Sequence, residues 1–196
     1  MRICLSLAIA LAAALLAVSC KKDDPNAGLP GATHTGANTA GCLVNGEPFV
    51  ATGFGSGPGK VAGLGGGFAY DSAYYLRLNG KLGGQNGSLH IFLNSFPDYK
   101  NQALLGEYLL NNSTPYLPIA LPSQCLSYAA FLPSDNPQEV YTTDVQHTGK
   151  VELTYVDISN VRVKRVSSGT FEFTAVNNLD PTKTLRVTSG RFDRQQ

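Results

Sequence analysis

Gly169-Thr170-Phe171-Glu172-Phe173-Thr174-Ala175-Val176 is the stretch that decides the fold. Phe171, Phe173 and Ala175 fall on one face, Glu172 and Thr174 on the other. Strict alternation from Thr170 to Ala175 is the signature of a strand with one face buried and one wet. The same period continues on both sides. Upstream, Val161 to Val166 reads as a further strand, and Gly149 to Val156 places Val151, Leu153 and Tyr155 together. Downstream, Asn177 to Lys183 is a turn cluster, Thr184 to Ser189 pairs back, and Gly190-Arg191-Phe192-Asp193 closes the fold.

Further from that stretch the pattern repeats. Ala73 to Gly80 puts Tyr74, Leu76 and Leu78 on one face, and Ser88 to Asn94 does so for Leu89, Ile91 and Leu93, with a turn across Lys81 to Gly87. Gly106 to Leu110 and Cys125 to Phe131 read as short strands. Cys42-Leu43-Val44 and Pro48-Phe49-Val50-Ala51 flank Asn45-Gly46, a strong hairpin dipeptide. Gly53 to Gly67 has eight glycines in fifteen positions and predicts a long irregular loop. No segment after residue 20 carries a helical period. The fold expected is all-β, an antiparallel sandwich or open barrel of short strands over residues 41–196.

The N-terminus is of a different kind. Met1-Arg2 precedes an apolar run from Ile3 to Val18, which reads as the helix of a signal peptide over residues 1–19. The run is short for a membrane span, which needs about 20 apolar residues. It ends on Cys20. Ala17-Val18-Ser19-Cys20 resembles a bacterial lipobox, with Ala17 where leucine is usual, which implies acylation of the Cys20 thiol. Lys22-Asp23-Asp24 resembles the export signal of Bacteroidetes surface lipoproteins. Two or more acyl chains give stable attachment at about 0.8 kcal/mol per buried methylene. Residues 20–40 have no period and read as a flexible, disordered tether.

Gly41-Cys42-Leu43-Val44-Asn45-Gly46-Glu47-Pro48, Val166-Ser167-Ser168-Gly169-Thr170-Phe171-Glu172-Phe173 and Thr188-Ser189-Gly190-Arg191-Phe192-Asp193 together resemble an uncharacterised family of Bacteroidetes surface lipoproteins. The resemblance implies an outer-membrane, lipid-anchored, cell-surface protein with an all-β domain. It implies no catalytic residue.

Composition bounds the partners. Arg2 leaves with the signal, so the mature chain carries 14 basic and 14 acidic side chains. That balance argues against nucleic acid, whose phosphates demand a basic excess. In an exported chain Cys42 and Cys125 are expected to pair, for a loop contribution of roughly 4–5 kcal/mol. Asp71-Ser72-Ala73 resembles a Bacteroidetes O-glycosylation tripeptide and marks Ser72.

Chemistry is sparse. His34, His90 and His147 have no second ligand at metal spacing, and His90 is expected to face solvent. Gly57-Pro58-Gly59-Lys60-Val61-Ala62 matches G-x-G-x-x-A without the strand and helix that give it meaning. No catalytic residue, metal or cofactor is expected. Tyr99, Tyr108, Tyr116 and Tyr128 offer an amphipathic surface for a glycan or protein if exposed, or cap core edges. Two functions stay open: a lipid-anchored binding or structural module, and an exported glycan hydrolase. The second would draw its acid and base from scattered carboxylates such as Asp71, Asp98, Glu107 and Asp144.

Overall fold

A computed structural model of the protein describes residues 26, 28–69, 73–94, 104–113, 126–160 and 164–196. The chain is all-β. The described residues form eleven strands: β1 (Thr39–Val44), β2 (Glu47–Val50), β3 (Leu64–Ala69), β4 (Ala73–Leu82), β5 (Gln85–Leu93), β6 (Gly106–Leu110), β7 (Tyr128–Pro133), β8 (Tyr141–Thr142), β9 (Gly149–Asn160), β10 (Lys164–Asn177) and β11 (Thr184–Gln195). They form one antiparallel sheet, ordered β2-β1-β11-β10-β8-β7-β5-β4-β3, with β9 and β6 branching from β10. The sheet curls into a half-barrel. Of the two architectures expected, the open barrel is the one formed.

The alternating residues line the concave side. Tyr74, Leu76, Leu78, Leu89, Ile91, Leu93, Val151, Leu153, Phe171, Phe173 and Phe192 are all buried in one cluster. Fully burying one such side chain stabilises the fold by about 1.5–3 kcal/mol. Tyr74 is completely buried, and its hydroxyl lies 3.0 Å from Ser167 Oγ, which satisfies the one polar atom it brings inside. Asn45 and Gly46 make the expected hairpin turn with φ of 50° and 87°. Asn45 Oδ1 accepts from the Arg186 amide at 2.8 Å, tying that turn to β11.

The curl brings β11 against the open edge of β3. The Gln196 side-chain amide copies a strand neighbour: Oε1 accepts from Phe68 N and Nε2 donates to Phe68 O, both at 2.9 Å. Arg194 Nε donates to Gly66 O at 2.9 Å. Side chains therefore satisfy an edge that would otherwise show free backbone groups. This is also where the glycine-rich loop departs from expectation. Gly65 to Gly67 belong to β3, because Gly66 (φ 101°) lies so close to Tyr75 O that a Cβ would sit 2.1 Å from it. Here glycine density marks a close backbone approach within a strand.

A second correction concerns β9. The register against β10 slips between Ser168 and Gly169, opposite Leu153 and Tyr155. The slip inverts the alternation. Val156 and Ile158 continue the core face, and Tyr155 turns outward to pack against His34, the rings tilted at 46° with centroids 5.3 Å apart.

Candidate functional site

The best-built polar feature of the molecule is centred on Asp193, near the end of β11. Asp193 is 1% exposed, on the outer face of the sheet. Burial alone would raise its pKa. Hydrogen bonds to the carboxylate outweigh burial and hold it well below the usual carboxylate range. Oδ2 accepts from Thr33 Oγ1, from Thr35 N at 3.0 Å and from Ala37 N at 3.1 Å. Oδ1 accepts from Gly36 N at 2.8 Å and from Ser168 Oγ at 2.9 Å. Three successive backbone N–H groups converge on one anion, the arrangement called a nest. Gly36 takes φ 74° to make it, and a Cβ there would meet Gln195 Cβ at 2.9 Å.

These bonds fasten residues 28–38 across the outer face as a strap. Pro30 and Leu29 pack over Gly41 of β1, whose missing side chain leaves room for them. Thr33 to Ala37 wrap Asp193, and His34 reaches Tyr155 of β9. Asn38 Oδ1 then accepts from Arg194 Nη1 and from Gln195 N before the chain enters β1. The tether expected through residue 40 is therefore docked on the fold from about Gly28 onward. Residues docked on the domain thus precede the expected boundary at Gly41.

The strap walls one side of a groove of about 420 Å³, through Asn26 and Ala32. The floor is the outer face of β9, β10 and β11: Lys150, Glu152, Thr170, Glu172, Ser189 and Arg191. A second groove of about 350 Å³ adjoins it, sharing Lys150 and Glu172 and adding Thr174, Arg186, Thr188 and the exposed Leu109. The depression follows a bulge in β11, where the register against β10 slips between Phe171 and Phe173. Ser189 takes φ 53° there, a conformation rare for a residue with a side chain. Charges on the floor are balanced and partly paired. Lys150 Nζ lies 2.8 Å from Glu107 Oε2 and 3.9 Å from Glu172 Oε1.

The other candidates fall elsewhere. Cys20, Lys22, Asp23, Asp24, Asp71, Ser72, Asp98, Tyr99, Tyr116 and Cys125 lie outside the described residues. Cys42 is a buried free thiol, and burial pushes its pKa up to about 12. Glu107 is paired with Lys150, and Asp144 Oδ1 accepts from Gln146 N, His147 N and the His147 ring. These two carboxylates are thus committed to separate local partners. Tyr108 is half-buried with its hydroxyl donating to Leu104 O at 2.9 Å, and Tyr128 is fully buried. Neither forms an exposed contact surface.

His90 also differs from expectation. It is 7% exposed, with Nδ1 3.0 Å from the Tyr75 hydroxyl. It points away from Leu89 and Ile91 as expected, but that side of the sheet is itself covered by a small cluster holding Phe92, Tyr128 and Ala130. Burial and the nearby Arg77 lower its pKa to about 4. Among the described residues no group of three or more His, Cys, Asp or Glu side chains is placed to hold a metal ion. No helix among them is long and apolar enough to cross a membrane.

Compared with known protein families, curated proteins and solved structures, the chain matches none. The strap and the groove it walls were not read from the sequence. Their only sequence signal was the polar composition of Thr33-His34-Thr35-Gly36 and a lone acid at the end of β11.

Proposed function

We propose that this protein is an exported, lipid-anchored binding module of the bacterial outer membrane, displayed at the cell surface and held by Cys20. The observation that carries the reading is the strap. The segment leading from the Cys20 junction is fastened to the outer face of the domain and forms one wall of its groove. Anchor, strap and binding face are then one mechanical unit. Asn26 lies six residue steps after Cys20, and an extended chain covers at most about 3.6 Å per step. The groove would open within about 22 Å of the acylated end. The polar floor supports the binding reading, because its Lys150 and Glu172 are held beside one another among exposed hydroxyls, a surface built for many weak polar contacts.

Metabolic labelling with an alkynyl palmitate analogue tests the anchor. Label should enter the wild-type chain, be absent from Cys20→Ser, and track with outer-membrane fractionation. An unlabelled wild-type protein, or a Cys20→Ser variant that still fractionates with the membrane, would defeat the reading. Protease shaving of whole cells tests display: a domain cleaved only after lysis faces inward.

A further inference from the structure

We infer that the trough formed by the two adjoining grooves on β9, β10 and β11 is a subsite for an uncharged, polyhydroxylated chain, a neutral oligosaccharide. This rests on the binding-module reading above and names its ligand class. Four observations carry it.

The first is charge. Lys150, Arg186 and Arg191 share the lining with Glu152 and Glu172, and Glu107 pairs with Lys150 from β6 beside it, so signs are mixed along the trough and no single-sign field selects an anion or a cation. The second is hydrogen-bonding capacity. Thr170, Thr174, Thr188 and Ser189 add hydroxyls that donate and accept among those charged groups. A vicinal diol can donate to a carboxylate and accept from a guanidinium, so such a floor can satisfy sugar hydroxyls densely.

The third is the lack of an apolar anchor site. Phe171 and Phe173 lie beneath the floor at 3% exposure and belong to the core, which leaves Leu109 as the exposed large apolar side chain of the lining. Protein interfaces concentrate their energy in aromatic or arginine anchors seated in desolvated pockets, and this floor offers no such seat. A peptide cannot extend the sheet at β10 either, because both its edges are already paired, with β9 and β11. The fourth is shape. Two grooves of about 420 and 350 Å³ joined at Lys150 and Glu172 make an elongated open trough, suited to part of a polymer.

The test uses the full chain purified in detergent and a panel of neutral hexaoses: β-1,4-glucan, β-1,3-glucan, α-1,4-glucan and α-1,6-mannan. Oligogalacturonate is the charged comparison. Calorimetry should find at least one neutral hexaose bound. That affinity should fall about tenfold or more in Glu172→Gln/Arg191→Gln, as expected for losing charge-assisted hydrogen bonds. Thr170→Ala/Thr188→Val removes hydroxyls without touching charge and should also weaken binding, so a folding failure of one variant leaves the other decisive. Lys183→Gln, in the turn before β11, should bind as wild type. Binding of none of the neutral hexaoses, of oligogalacturonate alone, or with undiminished affinity in the folded floor variants, overturns the inference. A photocrosslinker at Thr188 separates the two levels. A protein adduct in cells without hexaose binding removes the sugar and keeps the module; no adduct and no hexaose removes both.

Discussion

Asp193→Asn is the perturbation that bears most directly on the strap. The substitution keeps the shape and replaces one acceptor oxygen with an NH2 donor. If the remaining oxygen stays with Gly36 N and Ser168 Oγ, then Thr35 N, Ala37 N and Thr33 Oγ1 face a donor. Leaving a buried N–H unsatisfied costs about 1–3 kcal/mol, and because Thr35 N and Ala37 N are only part-buried the two together cost about 2–4 kcal/mol if the strap stays in place. Undocking limits the loss to what the strap contributes. The expected result is a fall in stability of about 2–4 kcal/mol in urea denaturation, together with loss of amide exchange protection at Thr35 to Ala37. The pH dependence supplies a second signature. Asp193 has a depressed pKa in the folded state, so the unfolded chain binds its proton first. Its stabilisation is complete above the unfolded carboxylate value of about 4 and disappears as pH falls from there toward the folded value. Wild type should lose stability through that acid window, and Asp193→Asn should lack that share of the slope. Equal urea midpoints, with Thr35 to Ala37 equally protected in both proteins, would refute the account.

The other predictions are more local. His90 has its pKa lowered to about 4, against about 6.5 unfolded, so stability should be full above pH 6.5 and fall by up to about 3 kcal/mol on acidification to pH 4. His90→Gln should flatten that slope, and an NMR titration showing the His90 ring protonating near pH 6.5 would contradict the burial argument. Cys42 should resist iodoacetamide at pH 8 in the folded protein and react in urea, because burial holds its thiol protonated; rapid native alkylation would show that the site opens. Gly149→Ala would place a Cβ 2.2 Å from Phe173 Cβ and 2.4 Å from Glu172 O at the start of β9. Backbone must move to admit it, at a cost of about 1–3 kcal/mol or more, and a melting point equal to wild type would mean that this strand end yields freely.

The half-barrel was legible because alternation reports burial directly. Tyr74-x-Leu76-x-Leu78 and Leu89-x-Ile91-x-Leu93 face the core as their period requires, since a one-residue error in either would turn every apolar side chain to water. Alternation fails where the ladder slips. Tyr155 shares a period with Val151 and Leu153, yet the register shift beside Ser168 and Gly169 sends it outward. Nothing local in Leu153-Thr154-Tyr155 announces that shift, because it depends on which β10 residue stands opposite. His90 was misplaced for a related reason. Period two separates the two faces of a strand, but it cannot say that the second face is also covered.

The strap shows a different limit, and it gives physical content to the three sequence motifs. Asp193 and its strap donors lie 156 to 160 residues apart, so no window along the chain contains both. The motifs nevertheless occupy neighbouring strands. The first, around Gly41, is on β1, the second, around Ser168, is on β10, and the third, ending on Asp193, is on β11 between them. Each supplies one requirement of the clamp. Gly41 has no side chain, so Pro30 and Leu29 can cross β1. Ser168, register partner of Asp193, donates to its carboxylate from the β10 side. Asp193 provides the anion that the strap amides close upon. A glycine, a serine and an aspartate are each weak signals in a strand, where glycine and aspartate are poor formers. Their joint presence in strands otherwise built of Phe, Val and Thr becomes intelligible once a second layer of chain must dock on that face, because the docked layer brings backbone N–H groups that need an acceptor away from water.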